Sequence, residues 1–164
     1  MTNKIDENII LGVDPGYARA GWAILKKTGA EIKLIKYGCI ETIKKTEHSE
    51  RLKTLNIELN KIIKKYKPKI LAIEDLFFFK NLKTAIKVAE ARGVILMTGI
   101  ENNLKIKEFT PLQIKQALTG YGRADKNQIQ QMIKIILKLK DTPKPDDAAD
   151  AIAIAICSAN SNKY

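Results

Sequence analysis

The chain has 164 residues, of which 29 are Lys or Arg and 18 are Asp or Glu, so its formal net charge is +11. This length suits a single domain, residues 1–164, and no apolar run is long enough for a membrane span or a secretion signal. The basic surplus favours a polyanionic partner, nucleic acid before membrane, and we expect a cytoplasmic protein.

The first part of the chain predicts three strands, a helix and a fourth strand. The apolar run NIILGVD, residues 8–14, ends in an acid, and AGWAILKK and EIKLIKYGCIET follow turn-like glycines. From about Glu47, apolar residues recur every three or four positions until Pro68, which predicts a helix that stops there. KILAIED, residues 69–75, is a second short apolar run ending in acids, and its length favours a buried strand.

The second part predicts helices around one short strand. A helix with an apolar face over residues 82–97 precedes a strand near residues 106–109, and Pro111 opens the next helix. Apolar periodicity over residues 129–137 marks another helix, and a closing helix starts at Pro145. This order predicts an α/β fold with a mixed five-stranded sheet and helices on both faces. Ligand sites in such folds lie at the carboxyl ends of the parallel strands.

Four acids fall where this architecture predicts a site. Asp14 and Glu74 end two buried strands, and Asp147 and Asp150 lie three residues apart, on one face, in the apolar closing helix. Carboxylates are costly to bury alone, and they repel one another unless a cation lies between them. One His and two distant Cys give no zinc spacing, so oxygen ligands for Mg²⁺, or Mn²⁺ in its place, are predicted. Two such ions suit phosphodiester cleavage.

Each acid also has an explanation without metal. Asp146, for which we prefer that explanation, and Asp147 complement the helix dipole in the first turn, whereas Asp150 lies beyond that turn. Asp14 precedes a Pro-Gly pair and fits a turn, and Glu74 fits an ion pair with a lysine. For any single acid, the explanation without metal is as good as a metal site. Four acids at strand ends and on one helix face, taken together, favour the metal site.

Four motifs, in order and spacing, resemble the RuvC family of Holliday-junction resolvases, which have the RNase H-like fold. They are LGVDPG with Gly21 following, AIEDLF, the ARG of residues 91–93, and DDAADAIAIA. The resemblance implies a Mg²⁺-dependent homodimeric endonuclease. Such an enzyme makes paired nicks in four-way junction DNA during recombination and repair, together with the branch-migration complex RuvA–RuvB. It also implies that the four acids named above are catalytic and bind the metal.

The same resemblance assigns DNA contacts. It implies that Phe77 lies near the junction centre and that Lys115 and Lys126 lie near the catalytic acids. On the residues alone, the phenylalanines of residues 77–79 are most simply core or interface residues, and solvated surface is the default for the two lysines. Arg123 and Tyr121, in the glycine-flanked loop TGYGRADK, are candidate phosphate contacts by their own chemistry.

Two other functions fit parts of the sequence. VDPGYARAGWAI also resembles the phosphate-binding hairpin of actin-like proteins and sugar kinases, but those proteins close two such lobes over a nucleotide and this length supplies one. The other alternative function is a DNA-binding module without catalysis. Such a module gains nothing from a cluster of acids at the place where DNA phosphates must approach.

A homodimer interface is predicted on the helix of residues 82–100. That helix has apolar residues on more than one face, among them Val88, Val94 and Ile95. Symmetric cutting of two strands calls for two sites related by a two-fold axis, which a homodimer supplies.

Overall fold

Five strands form one mixed sheet in the computed structural model, which describes residues 7–75 and 82–161. The strands are β1 (Glu7–Asp14), β2 (Arg19–Thr28), β3 (Glu31–Glu41), β4 (Ile70–Glu74) and β5 (Lys105–Phe109), and their order across the sheet is β3-β2-β1-β4-β5. β1, β2 and β3 are antiparallel, and β1, β4 and β5 run parallel. The two residues between β2 and β3 include Gly29 with a φ of 61°, a conformation that suits tight hairpins.

Five helices connect and cover these strands, and each begins or ends at a recognisable signal. They are α1 (His48–Tyr66), α2 (Leu82–Glu101), α3 (Pro111–Thr119), α4 (Lys126–Ile136) and α5 (Asp146–Asn160). Thr110 and Asp125 cap α3 and α4, each in a reciprocal capping box with a glutamine three residues later. α1 ends where Lys67 adopts a left-handed conformation before Pro68. α5 starts one residue later than predicted, because Pro145 itself is extended.

Alternation along the strands divides the core into two layers. In β1, Ile10 packs with the residues of α3, α4 and α5, whereas Leu11 and Val13 pack on the opposite face with those of α1 and α2. In β4, Ala72 packs in the layer of α3, α4 and α5, and Leu71 and Ile73 pack in the layer of α1 and α2. The predicted mixed five-stranded sheet with helices on both faces is therefore confirmed.

Close contact between α5 and the sheet depends on two glycines. Eleven of the fifteen residues of α5 are buried. A Cβ on Gly12 of β1 would lie 2.3 Å from the carbonyl oxygen of Ala151, and one on Gly21 of β2 would lie 1.8 Å from that of Asp147. Because any side chain there would push the helix away, these glycines set how near the first turns of α5 lie to the end of β1.

Candidate active site

Asp14 and Glu74 lie at the carboxyl ends of two interior strands of the sheet, β1 and β4, on the face that α5 covers. Each is the last residue of its strand, and the strands are parallel neighbours in which Val13 lies opposite Ile73. Side chains alternate between faces, so an acid one residue after Val13 or Ile73 points to the side opposite α1 and α2. The sequence prediction that these two acids share an edge is therefore confirmed.

The first two turns of α5 bring the other pair of acids to the same place. Gly21 pairs with Asp14 across β1 and β2, and the carbonyl of Asp147 packs directly on that glycine. Asp150, one helical turn later, lines a cavity of about 180 Å³ together with Glu74. The structure thus gathers all four predicted acids at the carboxyl ends of β1 and β4.

Asp14 has the most perturbed carboxyl group of the four. Burial, followed by the charges of Asp150, Glu74 and Asp147, raises the pKa of Asp14 from 3.8 to about 8, against a small opposing effect of Lys126. Each of the three other acids therefore lies close enough to disfavour its negative charge. A carboxyl group held this way accepts either a proton or a cation.

The pKa values of Glu74 and Asp150 are also raised. For Glu74, burial is the main cause and the charge of Asp150 adds to it, while Lys115 opposes both. For Asp150, burial again comes first, Lys126 opposes it, and the charges of Asp146 and Asp147 add to it. The carboxyl ends of β1 and β4 thus hold more negative charge than the neighbouring basic groups neutralise.

Three basic side chains lie beside this cluster. The family resemblance implied two of them, Lys115 and Lys126, whereas Arg19 was not expected from the sequence. Arg19 lies 3.6 Å from Asp147 and also pairs with Glu41 at 2.9 Å. Lys115 lines the cavity that contains Glu74 and Asp150. The third base is Lys126, whose charge acts on both Asp14 and Asp150.

Lys126 is already paired with the acid that precedes the cluster. Its Nζ lies 2.8 Å from a carboxylate oxygen of Asp146, and this hydrogen bond is the main reason that its pKa is raised. Gln130 also donates to Asp146, at 3.3 Å. Asp146 therefore has a partner of its own in addition to its place in the first helical turn, and it stands apart from the four clustered acids.

Arg92 of α2 is a residue whose role sequence reasoning missed. Its Nε donates to the backbone oxygen of Glu74 at 3.2 Å, and its guanidinium pairs with Asp75 at 3.5 Å and with Glu108. The amide of Asp75 donates to the carbonyl of Phe109 at 2.8 Å, which ties the end of β4 to β5. The only sequence signal was the ARG motif, which gave no indication of what the arginine contacts.

Three predicted DNA contacts remain, and two of them lie within the described residues. Phe77 lies outside the described residues. Tyr121 and Arg123 are found in the loop between α3 and α4, and no ion pair or hydrogen bond found in the described part of the chain links either side chain to the four acids. Their role stays a prediction.

The chemistry of the cluster fits a hard divalent cation. The cluster offers carboxylate oxygens only, and burial followed by neighbouring negative charge raises the pKa of Asp14, Glu74 and Asp150, so a cation would relieve the cost of ionising them. Within residues 7–75 and 82–161, no three His, Cys, Asp or Glu side chains lie close enough together to hold a metal ion as they stand.

Comparison with known proteins gives one consistent result. The family model for crossover junction endodeoxyribonuclease RuvC matches residues 10–158. The chain is 57% identical to the crossover junction endodeoxyribonuclease RuvC of Caldicellulosiruptor saccharolyticus over 149 residues, 90% of either chain. It is 54% identical to that of Halothermothrix orenii over 153 residues, 93% of either chain. A solved structure, T. thermophilus RuvC in complex with Holliday junction substrate, superposes with a TM-score of 0.87 at 30% identity over 92% of each chain.

Proposed function

Because the chain belongs to the RuvC family of crossover junction endodeoxyribonucleases, we propose that Asp14, Glu74, Asp147 and Asp150 carry its cleavage of four-way DNA junctions. The observation that supports this assignment is the meeting of the four carboxylates at one edge of the sheet. Members of this family are metal-dependent nucleases, and they act in homologous recombination and DNA repair. The enzyme resolves the junction by paired, symmetric nicks in opposing strands.

The four acids hold the metal. Carboxylate oxygens select hard ions, so Mg²⁺ is the natural occupant, with Mn²⁺ able to replace it and two ions held per site. When bound, such ions activate a water for attack on phosphorus and stabilise the leaving 3′ oxygen, which gives 3′-hydroxyl and 5′-phosphate ends. Because the pKa of Asp14 is about 8 without a cation, loading the site releases a proton from Asp14, and cation affinity rises with pH up to that value.

Two lysines act on the phosphate. Lys115 lies beside Glu74, and Lys126 lies near Asp14 and Asp150, so both border the place where a scissile phosphate meets the acids. An ammonium group there stabilises the negative charge that develops on the phosphate oxygens. Lys126 must first leave Asp146, and an incoming phosphate competes with that carboxylate for its charge.

The other contacts serve recognition of the junction. Tyr121 and Arg123 lie in the loop before α4, where they reach backbone phosphates without disturbing the core. Phe77 contacts bases near the junction centre. The chain's charge of +11 adds the sequence-independent attraction that such binding requires.

A homodimer places two such sites on one junction. Val88 and Ile95, which were named from the sequence for the interface, belong to the chain's own core and are therefore not available to a partner. Among the described side chains of α2, the large apolar ones that are exposed are Ile86, Met97 and Ile100, at 52%, 58% and 58% exposure. They share one stripe, at helical spacing, and this stripe is the proposed interface.

The setting follows from the substrate. Chromosomal junctions are produced during recombination, so we place the enzyme in the cytoplasm, working with the branch-migration complex RuvA–RuvB. None of the helices in the described ranges has the length and apolar character needed to cross a bilayer.

The test is cleavage of a labelled synthetic four-way junction beside a linear duplex of matched sequence, with Mg²⁺, with Mn²⁺ and with EDTA. Asp14→Asn, Glu74→Gln, Asp147→Asn and Asp150→Asn should each lose cleavage and keep junction binding. Asp141→Asn is the matched control, because it removes the same charge from an exposed residue in the segment between α4 and α5. This control should cut normally.

Three outcomes would contradict the proposal in different ways. Cleavage near the wild-type rate by any of the four variants would remove that acid from the catalytic set. Tight junction binding with no cleavage in either metal would favour the DNA-binding module. Saturable ATP binding would revive the nucleotide-binding function.

A further inference from the structure

A second cavity lies at the end of the sheet opposite the four acids. It occupies about 330 Å³ where β1, β4 and β5 begin and where β2 and α5 end. Four of its lining residues are lysines, and they come from three separate parts of the chain: Lys27, Lys69, Lys105 and Lys107. Among the described residues, no Asp or Glu lines this cavity.

The lysines are crowded enough to affect one another. Burial lowers the pKa of Lys107, and the charges of Lys105 and Lys27 lower it further. Keeping these ammonium groups together costs free energy that an anion between them would return.

The end of α5 contacts two of these lysines. Nζ of Lys27 donates to the carbonyl of Ala159, and Nζ of Lys107 lies 3.4 Å from Oγ of Ser161. A helix carboxyl terminus carries roughly half a negative charge, which is less than the charge of these two ammonium groups. Completing the helix end therefore does not explain why both lysines line the cavity.

Ser158 gives an independent indication of a ligand. It lines the same cavity and is 2% exposed, yet its hydroxyl has no hydrogen-bond partner among the described residues. A buried hydroxyl is usually paired, because leaving it unpaired forfeits the hydrogen bonds that it made with water. A hydroxyl beside several ammonium groups matches the donors that an oxyanion needs.

We propose that this lysine-lined cavity is a second binding site, which takes a small ligand with two or more phosphate groups. Lysine ammonium groups bind phosphate as point charges, and the serine hydroxyl adds a directed hydrogen bond. The volume equals that of roughly ten liquid water molecules at about 30 Å³ each, which is more than a single small ion fills. The site lies away from the nuclease centre, so its ligand binds without occupying the four acids.

The experiment is calorimetric titration of the protein with pyrophosphate in EDTA, at constant ionic strength. The test variant is Lys69→Gln with Lys107→Gln. The matched control is Lys33→Gln with Lys36→Gln, which removes the same charge from the exposed edge strand β3. Wild type and control should bind one pyrophosphate saturably, and the test variant should bind at least about tenfold more weakly, since it loses two charge-assisted contacts.

A second pair of variants separates a binding defect from a folding defect. Lys69→Arg with Lys107→Arg keeps both charges and should restore pyrophosphate binding. Ser158→Ala should weaken binding and leave junction cleavage unchanged. Absence of saturable binding in the wild type, or equal weakening in the test and control variants, would overturn the proposal. Loss of junction binding in the test variant alone would also overturn it, because the lysines would then be part of the DNA-binding surface.

Discussion

Replacing Asp14 by Asn should make the metal-free protein more stable, although it destroys the site. In the unfolded chain Asp14 ionises near pH 3.8, whereas in the folded protein its pKa is about 8 because of burial and the three neighbouring acids. The folded state therefore binds a proton that the unfolded state has lost, and stability falls as pH rises through that window. Asn cannot ionise, so the variant avoids this loss.

The size of the effect follows from the two pKa values. Each unit by which the folded pKa exceeds the unfolded pKa is worth about 1.36 kcal/mol of folding stability. The stability lost through Asp14 therefore grows from nothing below pH 3.8 to at most about 6 kcal/mol above pH 8. At pH 7 only the interval from pH 3.8 to pH 7 contributes to the loss of stability. This loss therefore cannot exceed about 4 kcal/mol. Asp14 is only half-buried, so solvent screens part of the charge repulsion, and we expect Asp14→Asn to gain about 2 kcal/mol at pH 7.

The assay is urea unfolding in EDTA across the range from about pH 4 to about pH 9. The gain should vanish at the acid end and reach its full value at the basic end. Asp146→Asn is the control, because the hydrogen bond with Lys126 lowers the pKa of Asp146 and its removal should cost stability. With saturating Mg²⁺ the wild type should become the more stable protein, since the cation needs the carboxylate.

Two results would refute this reasoning. If Asp14→Asn were no more stable than wild type at any pH in EDTA, burial and the three neighbouring carboxylates would not disfavour the charge of Asp14 as its position implies. If the gain were the same at every pH, it would come from packing and not from ionisation.

Three further predictions concern the residues around the site. Gly21→Ala should cost about 3 kcal/mol or more in urea unfolding, because its Cβ would lie 1.8 Å from a carbonyl oxygen of α5, whereas Gly93→Ala, with open space around it, should be neutral or stabilising. Arg92→Gln should lower single-turnover cleavage by about ten- to a hundredfold with junction binding kept, because it releases the carbonyl of Glu74; unchanged cleavage would exclude a positioning role. Asp146→Asn should strengthen junction binding in EDTA, because its lysine partner on α4 becomes available to phosphate; weaker binding would contradict that.

Features that depend on local spacing could be read from the sequence. The apolar runs and periodicities located each strand and helix, and alternation along β1 and β4 is enough to put Asp14 and Glu74 on one face. Asp150 stood out because it interrupts an apolar helix beyond its first turn, where the dipole explains a carboxylate poorly. These patterns arise from the geometry of a few consecutive residues, so they need no knowledge of the rest of the chain.

Features that join distant segments were decided by the tertiary structure alone. Arg19 meets Asp147, Arg92 supports Glu74, and neither contact leaves a trace in the spacing of the residues concerned. The lysines of the second cavity come from three parts of the chain and meet only because β4 and β5 lie parallel to β1 with α5 ending over them. Register and helix packing determine such encounters, since a long side chain can reach many partners and only the assembled core selects one.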